Sequence, residues 1–163
     1  MKLRSEPELL HLAAAYCSAG EHCVQEVQKK IISVGGSTEA AQRIIKRLTD
    51  EKFIDESRFC RSFVNDKFRF NHWGRIRIGY ELQKKGIPAA VFSEVVDGMD
   101  EEKYVSSLSS LLKEKKRSVR GRSEQDIFQK LYRFAAGRGF EGPLIVKTLK
   151  PLFNDDVDSG DME

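Results

Sequence analysis

Residues Arg75 to Gly86 read RIRIGYELQKKG, and the period hidden in this stretch decides the fold class. Ile76, Ile78, Tyr80 and Leu82 alternate with Arg77, Gly79 and Glu81, a pattern that taken alone describes a strand with one wet face. On a helix the same residues split into two stripes. Ile78 and Leu82 lie four apart on one side, and Ile76 and Tyr80 lie four apart on nearly the opposite side, joined by Trp73. The flanking sequence arbitrates between strand and helix.

Prolines are few, and glycines recur where helices would end. Gly35, Gly86 and Gly139, spaced 51 and 53 residues apart, each follow one helical pattern and precede another. Glycine takes the left-handed conformation that closes a helix most easily, so all three are expected at the C′ position. A helix-start signal follows each: Ser37 with Glu39, Pro88, and Pro143. Before each glycine-ended helix lies another amphipathic stretch, at Glu8 to Cys17, at Ser57 to Phe70 with Asp55 as N-cap, and at Glu102 to Lys115. The unit is three helices over about 50 residues, present three times.

Shifting by the repeat length tests the stripes. Ile78 and Leu82 correspond to Val27 and Ile31 and to Leu131 and Ala135, all apolar. Ile76 and Tyr80 correspond to Gln25 and Lys29 and to Gln129 and Arg133, all polar. The first stripe is therefore the repeated core and the second belongs to the middle unit alone. It is expected to pack against a neighbouring repeat, the alternative being an exposed partner surface. The predicted fold is all-α: three tandem three-helix repeats, at 1–52, 53–101 and 102–153, stacked into an elongated, curved body. An acidic flexible tail, 154–163, carries five acids and no base.

Composition narrows the function. A chain of 163 residues with 40% hydrophobic content can fill a core. Three cysteines, Cys17, Cys23 and Cys60, show no paired spacing and no leader precedes the first helix, which predicts a reducing, cytoplasmic setting. The longest apolar runs fall short of the roughly 20 residues of a membrane span. No phosphate loop, nucleophile elbow or HExxH is present, and His11, His22 and His72 have no ligand partners at a recurring spacing. The expectation is a chain with no catalytic residues, no metal and no cofactor.

Charge points to binding instead. From Arg58 to Lys85, eight basic residues (Arg58, Arg61, Lys67, Arg69, Arg75, Arg77, Lys84 and Lys85) face two acids, Asp66 and Glu81. Arginines can fork onto carboxylates or phosphates, so this face is the candidate partner-binding surface. The competing view is a solvated face whose long stems cover apolar surface. A second candidate contact lies in KEKKRSVRGR, at Lys115, Lys116, Arg117, Arg120 and Arg122, with a hydrated interhelical loop as the alternative. Cys60 reads as a small apolar filler.

The middle repeat resembles the bacterial RecX family, regulators of the RecA recombinase. The likeness is carried by FIDESRFCRSFV at Phe53 to Val64 and WGRIRIGYELQKKGI at Trp73 to Ile87. The triple three-helix pattern extends it over residues 5 to 153. Two positions depart from the family pattern: Arg75 stands where proline is common, and Cys60 where alanine is usual. The resemblance implies a non-enzymatic, monomeric protein that binds the RecA filament on DNA and lowers strand exchange, ATP hydrolysis and coprotease activity in DNA repair and the SOS response. A stand-alone helical module holding single- or double-stranded DNA through the same basic residues is the alternative.

Overall fold

The computed structural model describes residues 3–161, with side chains described through 153. The acidic tail expected from 154 to 163 therefore lies outside the residues with described side chains. Among the described residues every regular element is a helix: α1 (Glu6–Ala19), α2 (Val24–Ser33), α3 (Thr38–Asp50), α4 (Glu56–Asn71), α5 (Arg75–Lys84), α6 (Ala89–Asp97), α7 (Glu101–Ser118), α8 (Glu124–Gly137) and α9 (Gly142–Asp161). RIRIGYELQK is helical throughout, and the strand pattern has no counterpart.

Local chemistry accounts for the helix ends. A helix leaves its first amides without partners, and a side-chain oxygen just ahead of it can accept from one of them. Ser5 accepts from the Glu8 amide, Ser37 from Ala40, Asp55 from Arg58, Asp100 from Lys103 and Ser123 from Asp126. At the other ends Gly35, Gly86 and Gly139 have φ of 102°, 80° and 94°, the left-handed closure that the repeat spacing predicted. Lys113 to Arg117 lie inside α7, so the lysine-rich stretch is largely helical rather than a loop.

Two compact units divide the chain. One comprises Met1–Asn65 with Glu81–Val95, the other Asp66–Tyr80 with Val96–Glu163. The first unit is built on Leu9, Ala13, Val27, Ile31, Ala41, Ile44 and Leu48 from α1, α2 and α3, closed by Ile54. The second is built on Tyr104, Leu108, Leu112, Leu131, Ala135, Ile145 and Leu149 from α7, α8 and α9, with Phe140 from the turn between α8 and α9. Burying each large aliphatic side chain contributes about 1.5–3 kcal/mol. The repeated core stripe is buried at all six positions, with Ile78, Leu82, Val27, Leu131 and Ala135 at 0% and Ile31 at 1% exposure. Cys60 is also fully buried, and burial pushes its thiol up to about 11, so it stays a neutral filler.

The second stripe departs from expectation. Ile76 and Tyr80 are each 59% exposed rather than packed away. Their helix turns Ile78 inward, and a residue two positions away on a helix points roughly 160° from it.

Within the second unit, the backbone before α5 meets the turn between α8 and α9 directly. A Cβ on Gly74 would stand 2.5 Å from the Gly139 carbonyl and from the Phe140 nitrogen. One on Gly139 would stand 2.3 Å from the Arg77 Cβ and 2.5 Å from the Arg77 nitrogen. Gly74→Ala and Gly139→Ala should each lower stability by about 2–4 kcal/mol in urea unfolding, since backbone must move. Gly137→Ala, with nothing within 4 Å of the added carbon, should leave stability unchanged or raise it by up to about 1 kcal/mol.

Candidate partner-binding face

The eight basic residues of the middle segment separate into inward-facing and outward-facing groups. Arg58 is half-buried in the first unit: its Nε donates to Glu21 at 2.5 Å, and Nη2 reaches the carbonyls of Lys52 and Phe53 at 3.1 and 3.2 Å. That fork ties the turn after α3 to α4. Lys85, also half-buried, pairs with Glu26 at 3.0 Å and lies over the rings of Phe59 and Phe63. The Glu26 carboxyl also accepts from the Cys23 amide and contacts His22.

Arg75 is the most enclosed, its side chain only 16% exposed. It holds Glu101 at 2.7 Å and Glu141 at 3.0 Å while its guanidinium stacks 3.9 Å from the Tyr104 ring centre. Burial alone would lower its pKa, but the two carboxylates more than offset that and hold it above the usual arginine range. The Tyr104 hydroxyl donates to Glu141 and accepts from the Arg75 amide at 2.9 Å. Burial, then the bond to Glu141, raises the phenol's pKa, so it remains the donor. Arg75 was a candidate contact residue; its three partners give it a structural role within the second unit.

The other five face outward to different degrees. Arg61 and Arg69 are exposed, Arg69 lying 5.5 Å from the exposed Phe70 ring. Lys67 and Arg77 are half-buried on the Trp73 ring, at 5.1 and 4.2 Å, where cation–π attraction holds both near one indole. Lys84 is exposed and lies 3.8 Å from Glu81. The second cluster divides similarly. Lys115 covers Phe134, and Lys116 donates to the Leu152 carbonyl at 2.5 Å above the Phe153 ring. Arg117, Arg120 and Arg122 are exposed.

Among the described residues no three His, Cys, Asp or Glu come together as a metal-ligand set, and no helix is long and apolar enough to cross a membrane. Sequence reasoning did not find Tyr104, Glu101 and Glu141. The available signal was Arg75 itself: a cation at the first position of a helix opposes the dipole and needs acids nearby.

A family model described as the second three-helix domain of RecX matches residues 55–96, the span of α4 to α6. The chain is 30% identical over 135 residues to the "Regulatory protein RecX" of Clostridium tetani, across 81% of this chain and 61% of that protein. It is 29% identical over 146 residues to the protein of the same name from Prosthecochloris aestuarii, across 90% of this chain and 94% of that one. The chain is thus similar to RecX proteins over most of its length, and to the RecX second-domain model over its middle. The crystal structure of RecX from Lactobacillus salivarius shares its fold, with a TM-score of 0.81 at 20% identity over 90% of this chain and 96% of that one. In this chain the motif FIDESRFCRSFV contributes both inward and outward cations: Arg58 braces the first unit and Arg61 faces solvent.

Two measurements check these assignments. Tyr104→Phe leaves the Arg75 amide and the Glu141 carboxylate each short of a partner, and should cost about 1–3 kcal/mol in urea unfolding. Glu26 is raised by burial but more strongly lowered by Lys85, the Cys23 amide and His22, so its folded pKa lies below the ordinary 4.5. A depressed carboxylate stabilises the fold above its unfolded pKa and loses that contribution as pH falls through the folded value. The melting temperature should therefore drop as pH falls below about 4.5, and Glu26→Gln should flatten that part of the profile.

Proposed function

We propose that this chain is a non-enzymatic regulator that binds along the RecA filament on DNA and lowers its strand-exchange, ATPase and coprotease activities. The observation that carries this reading is the set of outward cations on the RecX motif and the helices beside it: Arg61, Lys67, Arg69, Arg77 and Lys84. They come from α4 and α5, where Asp66 and Glu81 are the only acids between Arg58 and Lys85. Outward cations in each unit suit an anionic partner, and a nucleoprotein filament offers both carboxylates and phosphates. Three helical units repeated along the chain would supply several weak contacts to a polymer. Each contact after the first is intramolecular, so avidity exceeds the affinity of any one. The reading places the protein in the cytoplasm, as a monomer, wherever the filament forms.

Arg58, Arg75 and Lys85 are poor probes of this function, because removing any of them breaks an internal ion pair. Arg61 and Arg69 are exposed. The double variant Arg61→Glu/Arg69→Glu should weaken inhibition of the recombinase ATPase at least about tenfold, with an unchanged helical circular dichroism spectrum. Unchanged inhibition would remove these two arginines from the mechanism.

A further inference from the structure

The exposed stripe on α5 is an energetic oddity. Ile76 and Tyr80, both in the second unit, stand one helical turn apart on one side of the helix and are each 59% exposed. The core does not use that side, since Ile78 and Leu82 fill it from the other. At the corresponding positions of the other repeats the chain carries Gln25 with Lys29 and Gln129 with Arg133, and Lys29, Gln129 and Arg133 are exposed. Polar residues therefore serve this helical position perfectly well for folding. An aliphatic and an aromatic side chain at i and i+4 on a solvated helix face is instead the spacing of anchor residues in helix recognition.

We infer that Ile76 and Tyr80 form the apolar anchor by which this chain docks on a protein subunit whose surface offers an apolar recess rimmed by carboxylates. The inference rests on the filament reading above and supplies its protein contact. Charge complementarity selects the rim. Within Asp66–Tyr80 the one acid is Asp66, while Lys67, Arg69 and Arg77 are cationic and Arg75 is already neutralised by Glu101 and Glu141. An apolar centre bordered by arginine is the usual anatomy of a protein contact, in which aromatic residues and arginine are enriched. A single-stranded nucleic acid fits less well. Ile76 has no π face to stack a base on, and the indole of Trp73 is half-buried with Lys67 and Arg77 at 5.1 and 4.2 Å from its centre.

The test replaces the stripe with the residues that the first repeat carries at the same positions. The full chain bearing Ile76→Gln/Tyr80→Lys is co-sedimented with RecA filaments preassembled on single-stranded DNA, and titrated separately against the same DNA without protein. Filament affinity should fall at least about tenfold, while affinity for naked DNA should hold or rise with the added lysine. Filament binding within about twofold of the unmodified chain would overturn the anchor and leave the filament reading standing. An equal loss on naked DNA would overturn it in favour of base stacking. An unmodified chain that does not sediment with filaments would overturn the filament reading and this inference together. Circular dichroism checks the fold, and if the double variant is unfolded, Ile76→Ala and Tyr80→Ala are compared singly, each expected to weaken filament binding about fivefold.

Discussion

The N-terminus of α5 depends on a close backbone approach that only glycine permits. The start of this helix is capped by residues distant in sequence. Its first amides are satisfied from the neighbouring helical layer: Gly74 donates to the Arg138 carbonyl at 2.7 Å, Arg75 to the Tyr104 hydroxyl at 2.9 Å and Ile76 to the Gly139 carbonyl at 2.9 Å. Three consecutive donors are thus paired, and the two backbone segments touch at Gly74 and Gly139 with no room for a Cβ between them. That docking holds the first turn of α5 within the second unit.

Arg75 shows how the same constraint redistributes charge. Placed at the first helical position, its guanidinium sits where the helix dipole is positive, an unfavourable site for a cation. Glu101 and Glu141 compensate both charges, and the Tyr104 ring covers the guanidinium plane. The arrangement is costly to interrupt, because removing one partner leaves a partly desolvated charge behind. Arg58 with Glu21 and Lys85 with Glu26 repeat the theme in the first unit at lower burial. Local charge balance therefore overstates how much of a basic segment faces outward, since Arg58, Arg75 and Lys85 are held by internal carboxylates. Within the second unit the outward cations are Lys67, Arg69 and Arg77, in the same segment as the stripe Ile76 and Tyr80.

Much of the fold was legible before any coordinates. Helix starts at Ser37 and Asp55, left-handed closures at Gly35, Gly86 and Gly139, and the buried positions Val27, Ile31, Ile78, Leu82, Leu131 and Ala135 all follow from local rules. Capping and periodicity involve residues within four or five positions of one another, so the sequence displays them directly. The candidate site was legible only in its composition. The pairing of Arg75 links residues 26 and 66 positions apart, as its bonds to Glu101 and Glu141 show, and no local pattern reports such a separation.

By itself, then, the sequence determined the class of structure and the inward face of each repeat, because hydrophobic period and glycine closure are properties of short segments. It also marked Ile76 and Tyr80 as peculiar to the middle repeat. Only the tertiary structure decided that these two remain in solvent and that three of the eight cations turn inward to carboxylates. Exposure and ion pairing are settled by what the folded chain brings alongside a residue, and that depends on the meeting of distant segments such as Gly74 and Gly139.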